Sequence, residues 1–276
     1  MMEHVFSKAI AKREQDNEII LEVGKEDFKD VCVYLNSTRH ALLRLMFAVD
    51  EREKDGVFRI YTVFSIPGKD MFYSIVLSLK NETSFPSLTS VIPAAHWYER
   101  EISDMFGLVP RGHPDPRRLV FHEAFPSGSH PLRKDWSMTE ADKKEWGEGT
   151  PVKVPHPFME VAGEGIIEIP VGPVHAGIIE PGHFRFSAVG ETIFFLEPRL
   201  SYTHKGTEKH FETLGFVEGV KLAERVSGTS SFSHGAAYCM AVERMTGTQI
   251  SEKAAAVRTL LLELERLYNH IGDIGN

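Results

Sequence analysis

A chain of 276 residues with 42% hydrophobic and 25% charged residues has the composition of a folded globular protein and length enough for two domains. Its net charge of -8, from 31 basic and 39 acidic residues, excludes the concentrated basic surface that nucleic-acid binding requires. With only Cys32 and Cys239, the chain by itself can supply neither a disulfide framework nor a zinc or iron–sulfur site, and a reducing cytoplasm suits it. The charged segment from Met1 to Asp16 lacks the apolar core of a signal peptide, and no apolar run approaches the roughly 18 residues of a membrane span.

In chain order, Glu18 to Val23 reads as a short strand and Lys25 to Leu35 as a helix. Three strand-like segments follow. Arg44 to Val49 is irregular. Phe58 to Ile66 sets Phe58, Ile60, Phe64 and Ile66 on one face, and Met71 to Leu79 does the same with Met71, Tyr73, Ile75, Leu77 and Leu79. Ala94 to Phe106 is a predicted helix with Tyr98, Ile102, Met105 and Phe106 on one side, Glu99, Ser103 and Asp104 off it, and Gly107 as its stop. Strands closed by a helix imply a sheet with helices on one face. Residues 109–130, rich in Pro, Gly, Arg and His, predict an extended, ordered arm.

Ser137 to Pro157, charged and interrupted by Gly147, Gly149, Pro151, Pro155 and Pro157, is the expected linker. A hairpin of Phe184 to Ala188 and Thr192 to Leu196, turning near Gly190, should follow, with Val174 to Gly182 as a loop before it. Beyond Tyr202 the pattern is helical, and Ser251 caps the last helix. Its stripe of Val257, Leu260, Leu264, Leu267, Ile271 and Ile274 needs a partner to bury it, as in a divided or truncated protein. The expected class is α+β. An antiparallel sheet with helices and an arm occupies residues 1–136 and a linker 137–157. A small sheet or hairpin and part of a helical bundle occupy 158–276. Neither a G-x-G-x-x-G nor a P-loop occurs.

The segment from Trp97 to Trp136 is the most distinctive: Trp97-Tyr98-Glu99-Arg100-Glu101-Ile102-Ser103-Asp104, then Gly112-His113-Pro114, Arg117-Arg118 and His130-Pro131-Leu132-Arg133-Lys134-Asp135-Trp136. It resembles the signature of the thirty-kilodalton subunit of respiratory complex I. That module is also found joined to large subunits of formate hydrogenlyase type. The residues themselves suggest that His113 and His130 satisfy loop backbone groups, since His113, His122 and His130 follow no usual zinc spacing. His113, Arg117, Arg118, His130, Arg133 and Lys134 are expected at a subunit interface, the cations pairing with acidic groups of a neighbour.

A second block, Gly172-Pro173-Val174-His175 through Glu180-Pro181-Gly182-His183-Phe184-Arg185-Phe186, resembles the first hairpin of hydrogenase large subunits and of their complex I counterpart, the forty-nine-kilodalton subunit. The hydrogenase-like form fits better, because complex I carries histidine and glycine where Ile179 and Glu180 stand. The resemblance implies a tip between the redox cavity and the membrane arm. That makes His175 and Glu180 candidates for proton relay or coupling; the other reading is a turn histidine and a capping glutamate.

A third block, Arg225-Val226-Ser227-Gly228-Thr229-Ser230-Ser231-Phe232-Ser233-His234, resembles the first cysteine motif of nickel–iron hydrogenases, with Ser227 and Ser230 at the thiolate positions. A serine hydroxyl is neither soft nor readily deprotonated, so nickel is not expected. Arg225, Ser227, Ser230 and His234 become cavity positions without metal. Gly228 stands where complex I carries the tyrosine that donates to quinone. Read from the residues alone, Ser227 to His234 is a helix start with serines capping its amides.

The resemblances together imply a peripheral subunit at the cytoplasmic side of the membrane, in a complex I-like or energy-converting-hydrogenase-related oxidoreductase. No cofactor is expected on this chain. Quinone is a possible ligand of the full-length protein, and the iron–sulfur cluster belongs to a small partner subunit. Antiporter-like and quinone-site membrane subunits are the further expected partners, and nucleic acid is not. The alternative is a non-catalytic scaffold bridging the electron-transfer and ion-translocating subunits.

Overall fold

The structure, a computed structural model, describes residues 5, 7–123, 125–137, 156–175 and 180–275. The chain divides into two compact units, Met1–Thr203 and His204–Asn276.

The first unit is built on a five-stranded sheet of order β1-β2-β5-β4-β3. Its strands are β1 (Ala9–Gln15), β2 (Glu18–Val23), β3 (Leu42–Glu51), β4 (Val57–Ser65) and β5 (Phe72–Lys80). The α+β class holds, but the sheet is mixed rather than antiparallel. β3, β4 and β5 form an antiparallel meander, whereas β2 runs parallel to β5, with Leu21 opposite Ile75. A parallel neighbour needs a crossover connection rather than a hairpin. α1 (Lys25–Val33), continued by a π-helical turn over Tyr34–Thr38, leads the chain from β2 to β3 at the far edge.

Alternation places Ile60, Phe64, Ile75, Leu77 and Leu79 on one face, buried against Phe28, Val31 and Cys32 of α1. Ile102, Met105 and Phe106 of α2 (His96–Phe106) complete this core. α2 ends where Gly107 takes a left-handed φ of +69°. A Cβ there would lie 2.5 Å from His130 Nε2 and 2.6 Å from an Arg133 guanidinium nitrogen, so glycine lets the returning arm close on the helix end. Two short strands, β6 (Ser84–Pro86) and β7 (Val109–Arg111), pair in parallel beside it.

The same unit holds a three-stranded antiparallel sheet of β8 (Ile167–His175), β9 (Gly182–Val189) and β10 (Thr192–Arg199), ordered β10-β9-β8. The expected hairpin is β9–β10. β8 carries Pro170 and Pro173, which argue against a central strand but are tolerated at an edge. Val174 and His175 therefore belong to a strand rather than to the expected loop, and His175 pairs with Gly182. Most of the expected linker, 138–155, lies outside the described residues.

The second unit is helical: α3 (Thr207–Phe211), α4 (Phe216–Ala223), a 3-10 turn (Gly228–Ser230), α5 (Ser231–Thr246) and α6 (Glu252–Gly275). The Ser251 hydroxyl accepts the Ala254 amide at 3.2 Å, the cap the sequence implies. α6 turns polar groups inward: Arg258 pairs with Glu243 of α5, and Glu265 is buried. Its apolar stripe faces outward, Leu260 being 59% and Ile274 86% exposed within the described residues.

Candidate functional site

Of three charged side chains on α2, Glu99 binds the segment before the helix, and Arg100 and Asp104 hold the arm. Glu99 is fully buried and accepts bonds from the hydroxyls of Ser87 (2.6 Å) and Thr89 (2.8 Å) and from the Leu88 amide (2.5 Å). Arg100, whose pKa is lowered by burial, donates to the carbonyls of Arg117 (2.8 Å) and Arg118 (2.9 Å). Asp104 accepts the amides of Leu119 and Val120, both at 2.9 Å, and of Phe121 at 3.3 Å. Burial raises its pKa against those three bonds. Glu99 and Asp104 do lie off the apolar side of the helix, as expected, yet they are buried, because the arm covers that side.

The two signature histidines bond backbone. His113 Nδ1 accepts the Asp115 amide at 3.0 Å, so its proton sits on Nε2, which donates to the His96 carbonyl at 3.1 Å. His130 Nδ1 donates to the Asp104 carbonyl at 2.8 Å. The guanidinium groups expected at an interface are engaged within the chain. Arg118 donates to the Phe125 carbonyl and Arg133 to the Phe106 carbonyl, each at 2.7 Å, and the Lys134 amide reaches Asp50 at 2.9 Å.

Arg117 joins the arm to β10. It grips Asp115 through two nitrogens at 2.8 and 2.9 Å and reaches Glu197 at 2.5 Å. Glu197 also accepts the Met159 amide at 2.8 Å and faces His156 Nε2 at 3.3 Å; His156 Nδ1 lies 2.7 Å from Glu123. Burial pushes Glu197 up, but the Met159 amide, Arg117 and His156 together bring it below its ordinary value. Two positions along β10, Arg199 is 4% exposed. It donates to the carbonyls of Arg118 (3.4 Å), Leu119 (3.1 Å) and Phe121 (3.0 Å) and to the Glu123 carboxylate (3.0 Å). His122, its pKa lowered first by burial and then by Arg199, meets the Leu200 carbonyl at 3.2 Å and packs edge-on against Tyr202. A cleft of about 400 Å³ opens here, with Trp97, Pro114, Met159 and Leu196 around a floor of Arg100, Arg117 and Glu197.

At the same end of the small sheet, just before β9, Glu180 is exposed and accepts the Thr203 hydroxyl at 2.8 Å. Residues 176–179 between it and His175 lie outside the described residues.

In the second unit, the Ser230 amide donates to the Ser227 carbonyl at 3.2 Å, closing the turn that leads into α5. The serines do not cap the helix as expected. Glu265 of α6 does: it accepts the amides of Phe232 (2.7 Å) and Ser233 (3.0 Å), a stronger cap because a carboxylate complements the positive helix end. Arg225 is exposed and folds back onto the Lys221 carbonyl at 2.7 Å, and His234 is half-buried on the first turn of α5.

The arm brings together His113, Arg117, Arg118, His130, Arg133 and Lys134 of the first unit, whereas Arg225, Ser227, Ser230 and His234 share one turn of the second. Glu123, His156, Glu197, Arg199 and Glu265 carried no expectation from the sequence, and Asp104 was expected only as a residue off the apolar side of its helix. Glu197 and Arg199 did carry a signal, since charges two apart in an otherwise apolar strand share a buried face.

Residues 21–142 match the family described as respiratory-chain NADH dehydrogenase, 30 Kd subunit. The chain is 38% identical over 267 residues to hydrogenase-4 component G of Escherichia coli (strain K12), covering 96% of this chain and 47% of that protein. It is 38% identical over 250 residues to formate hydrogenlyase subunit 5 of the same organism, covering 89% and 43%. It is 30% identical over 264 residues to the C/D subunit of NADH-quinone oxidoreductase from Bdellovibrio bacteriovorus, covering 93% and 46%. The chain thus spans about half the length of these relatives. The family match falls on β2 to β5, α2 and the arm, so the part of the chain similar to the respiratory-chain NADH dehydrogenase, 30 Kd subunit is the part that Arg100 and Asp104 tie together.

Proposed function

We propose that this chain is a peripheral subunit of a membrane-associated oxidoreductase of complex I-like or energy-converting-hydrogenase-related type. It would contribute to the cavity for quinone or another electron acceptor and couple that cavity to the membrane arm. The observation that carries this reading is the clasp of Arg117 and Arg199 on Glu197, Glu123 and the arm carbonyls. It makes one body of the 30 kDa domain and the β8–β10 sheet, with the coupling candidates His175 and Glu180 at the same end of the sheet as Arg199. The names of the relatives, two of hydrogenase or hydrogenlyase type and one an NADH-quinone oxidoreductase, support the same class.

The donor set does not fit a nickel–iron centre. Hydroxyls stand at 227 and 230, Cys32 belongs to the first unit, and Cys239 lies more than two helical turns along α5. Electrons would reach the cavity from an iron–sulfur cluster on a small partner subunit, and antiporter-like and quinone-site membrane subunits would receive the coupling. The complex would sit at the cytoplasmic face. None of the described helices is long and apolar enough to cross a membrane.

Affinity capture of the tagged chain from solubilised membranes of its own host tests this reading. A cluster-bearing small subunit and multi-span membrane subunits should co-purify with acceptor-reducing activity. Recovery of the chain without them would defeat the proposal. If they assemble but R225A, S227A, S230A and H234A variants all turn over normally, the chain is a scaffold.

A further inference from the structure

The turn at Ser227–Ser230 is held from outside rather than by its own side chains. On α6, Glu265, Tyr268 and Asn269 stand at i, i+3 and i+4 and so share a face. Glu265, 6% exposed, takes the amides of Phe232 and Ser233 in the first turn of α5. The Tyr268 hydroxyl and the Asn269 side-chain amide both donate to the Thr229 carbonyl, each at 2.9 Å. Tyr268 also reaches Glu265 at 3.3 Å, so the three side chains form one connected set. Neither serine hydroxyl caps the helix, and the Ser227 hydroxyl lies 3.3 Å from that of Thr229.

We infer that Glu265, Tyr268 and Asn269 are the positioning residues of this turn. They fix the backbone that presents positions 227 and 230, whatever side chains stand there. The physical reason is separation of tasks. A helix start capped by its own serine ties that hydroxyl to a backbone amide, whereas a cap supplied by another helix leaves positions 227 and 230 to face a ligand. The bond from the Ser230 amide to the Ser227 carbonyl brings the two Cα atoms within about 7 Å, near enough for two side chains to share one ligand atom. The inference goes beyond the proposed function and does not depend on which acceptor the complex uses.

Cadmium serves as a probe of this geometry, because paired thiolates bind it and hydroxyls do not. The 276-residue chain carrying S227C/S230C is titrated with cadmium and followed by thiolate charge-transfer absorbance. The parent chain, with Cys32 and Cys239 in different units, supplies the baseline. The S227C/S230C chain should take up one cadmium above baseline. Adding E265A should weaken that affinity about tenfold or more with the circular dichroism unchanged, as the loss of hydrogen bonds to a charged group implies. E265Q, which keeps one acceptor oxygen, should fall between. Y268F/N269A removes only the two bonds to the Thr229 carbonyl and should weaken binding less; it carries the test if E265A does not fold. Equal affinity in all these chains, or no uptake by S227C/S230C, overturns the inference.

Discussion

Asp104 and Arg199 hold the same stretch of backbone by its two opposite kinds of group. Asp104 on α2 takes the amides of residues 119–121, and Arg199 on β10 takes the carbonyls of Arg118, Leu119 and Phe121. The arm has no ladder partner there, so these two side chains supply the polar partners that a sheet would otherwise provide. Asp104→Ala would strand buried amides and should destabilise the first unit by about 3 kcal/mol or more. Arg199→Ala leaves Glu123 and the carbonyls without their cation and should cost about 3–5 kcal/mol. Urea unfolding measures both. Losses below about 1 kcal/mol would show that water replaces these partners without penalty.

Acid should loosen the arm at both ends. Burial pushes Asp115 up, but Arg117 and Arg100 together bring it down to about 2. Burial likewise pushes Asp50 up, and its bonds from Arg52 and from the Lys134 amide bring it down to about 2. A carboxylate with a depressed folded-state pKa contributes stability above its unfolded pKa near 4 and loses it as pH falls toward 2. Stability should therefore decline through that window. D115N should flatten the decline relative to the parent in denaturation at stepped pH.

His175 and Glu180 should matter to the assembled complex more than to the fold. Glu180 is exposed and, among the described residues, bonded to the Thr203 hydroxyl, and His175 ends an edge strand. Alanine at either position should change stability by no more than about 0.5 kcal/mol, while turnover of the complex falls. Variants that unfold readily, or that assemble and work normally, would remove them from the coupling path.

Elemental analysis of the purified chain should return neither nickel nor iron in stoichiometric amount, and hydrogen uptake should be absent. Two hydroxyls where the hydrogenase motif carries thiolates are the reason. One equivalent of nickel per chain would contradict it.

The isolated chain should self-associate. Val257, Leu260, Leu264, Leu267, Ile271 and Ile274 form an outward stripe on α6, each at least 45% exposed among the described residues. Apolar surface of that extent promotes association. Light scattering should show mass rising with concentration, and L260E/L267E should reduce the rise.

Local pattern alone located most of the first unit's elements. Strand alternation in β4 and β5 follows from the pleat, and the 3.6-residue period and Gly107 define α2. The signature from Trp97 to Trp136 marked the arm. What only the tertiary structure decided are choices between partners distant in sequence. The parallel pairing of β2 with β5 depends on where the crossover lands. The burial of Glu99 and Asp104 depends on an arm that returns over the polar side of α2. The capping of α5 depends on Glu265, 33 residues beyond the first amide that it takes. Periodicity ranks a charged residue as solvent-facing because burying a charge is costly. It cannot report the complementary amide, carbonyl or guanidinium that a distant segment brings to offset that cost.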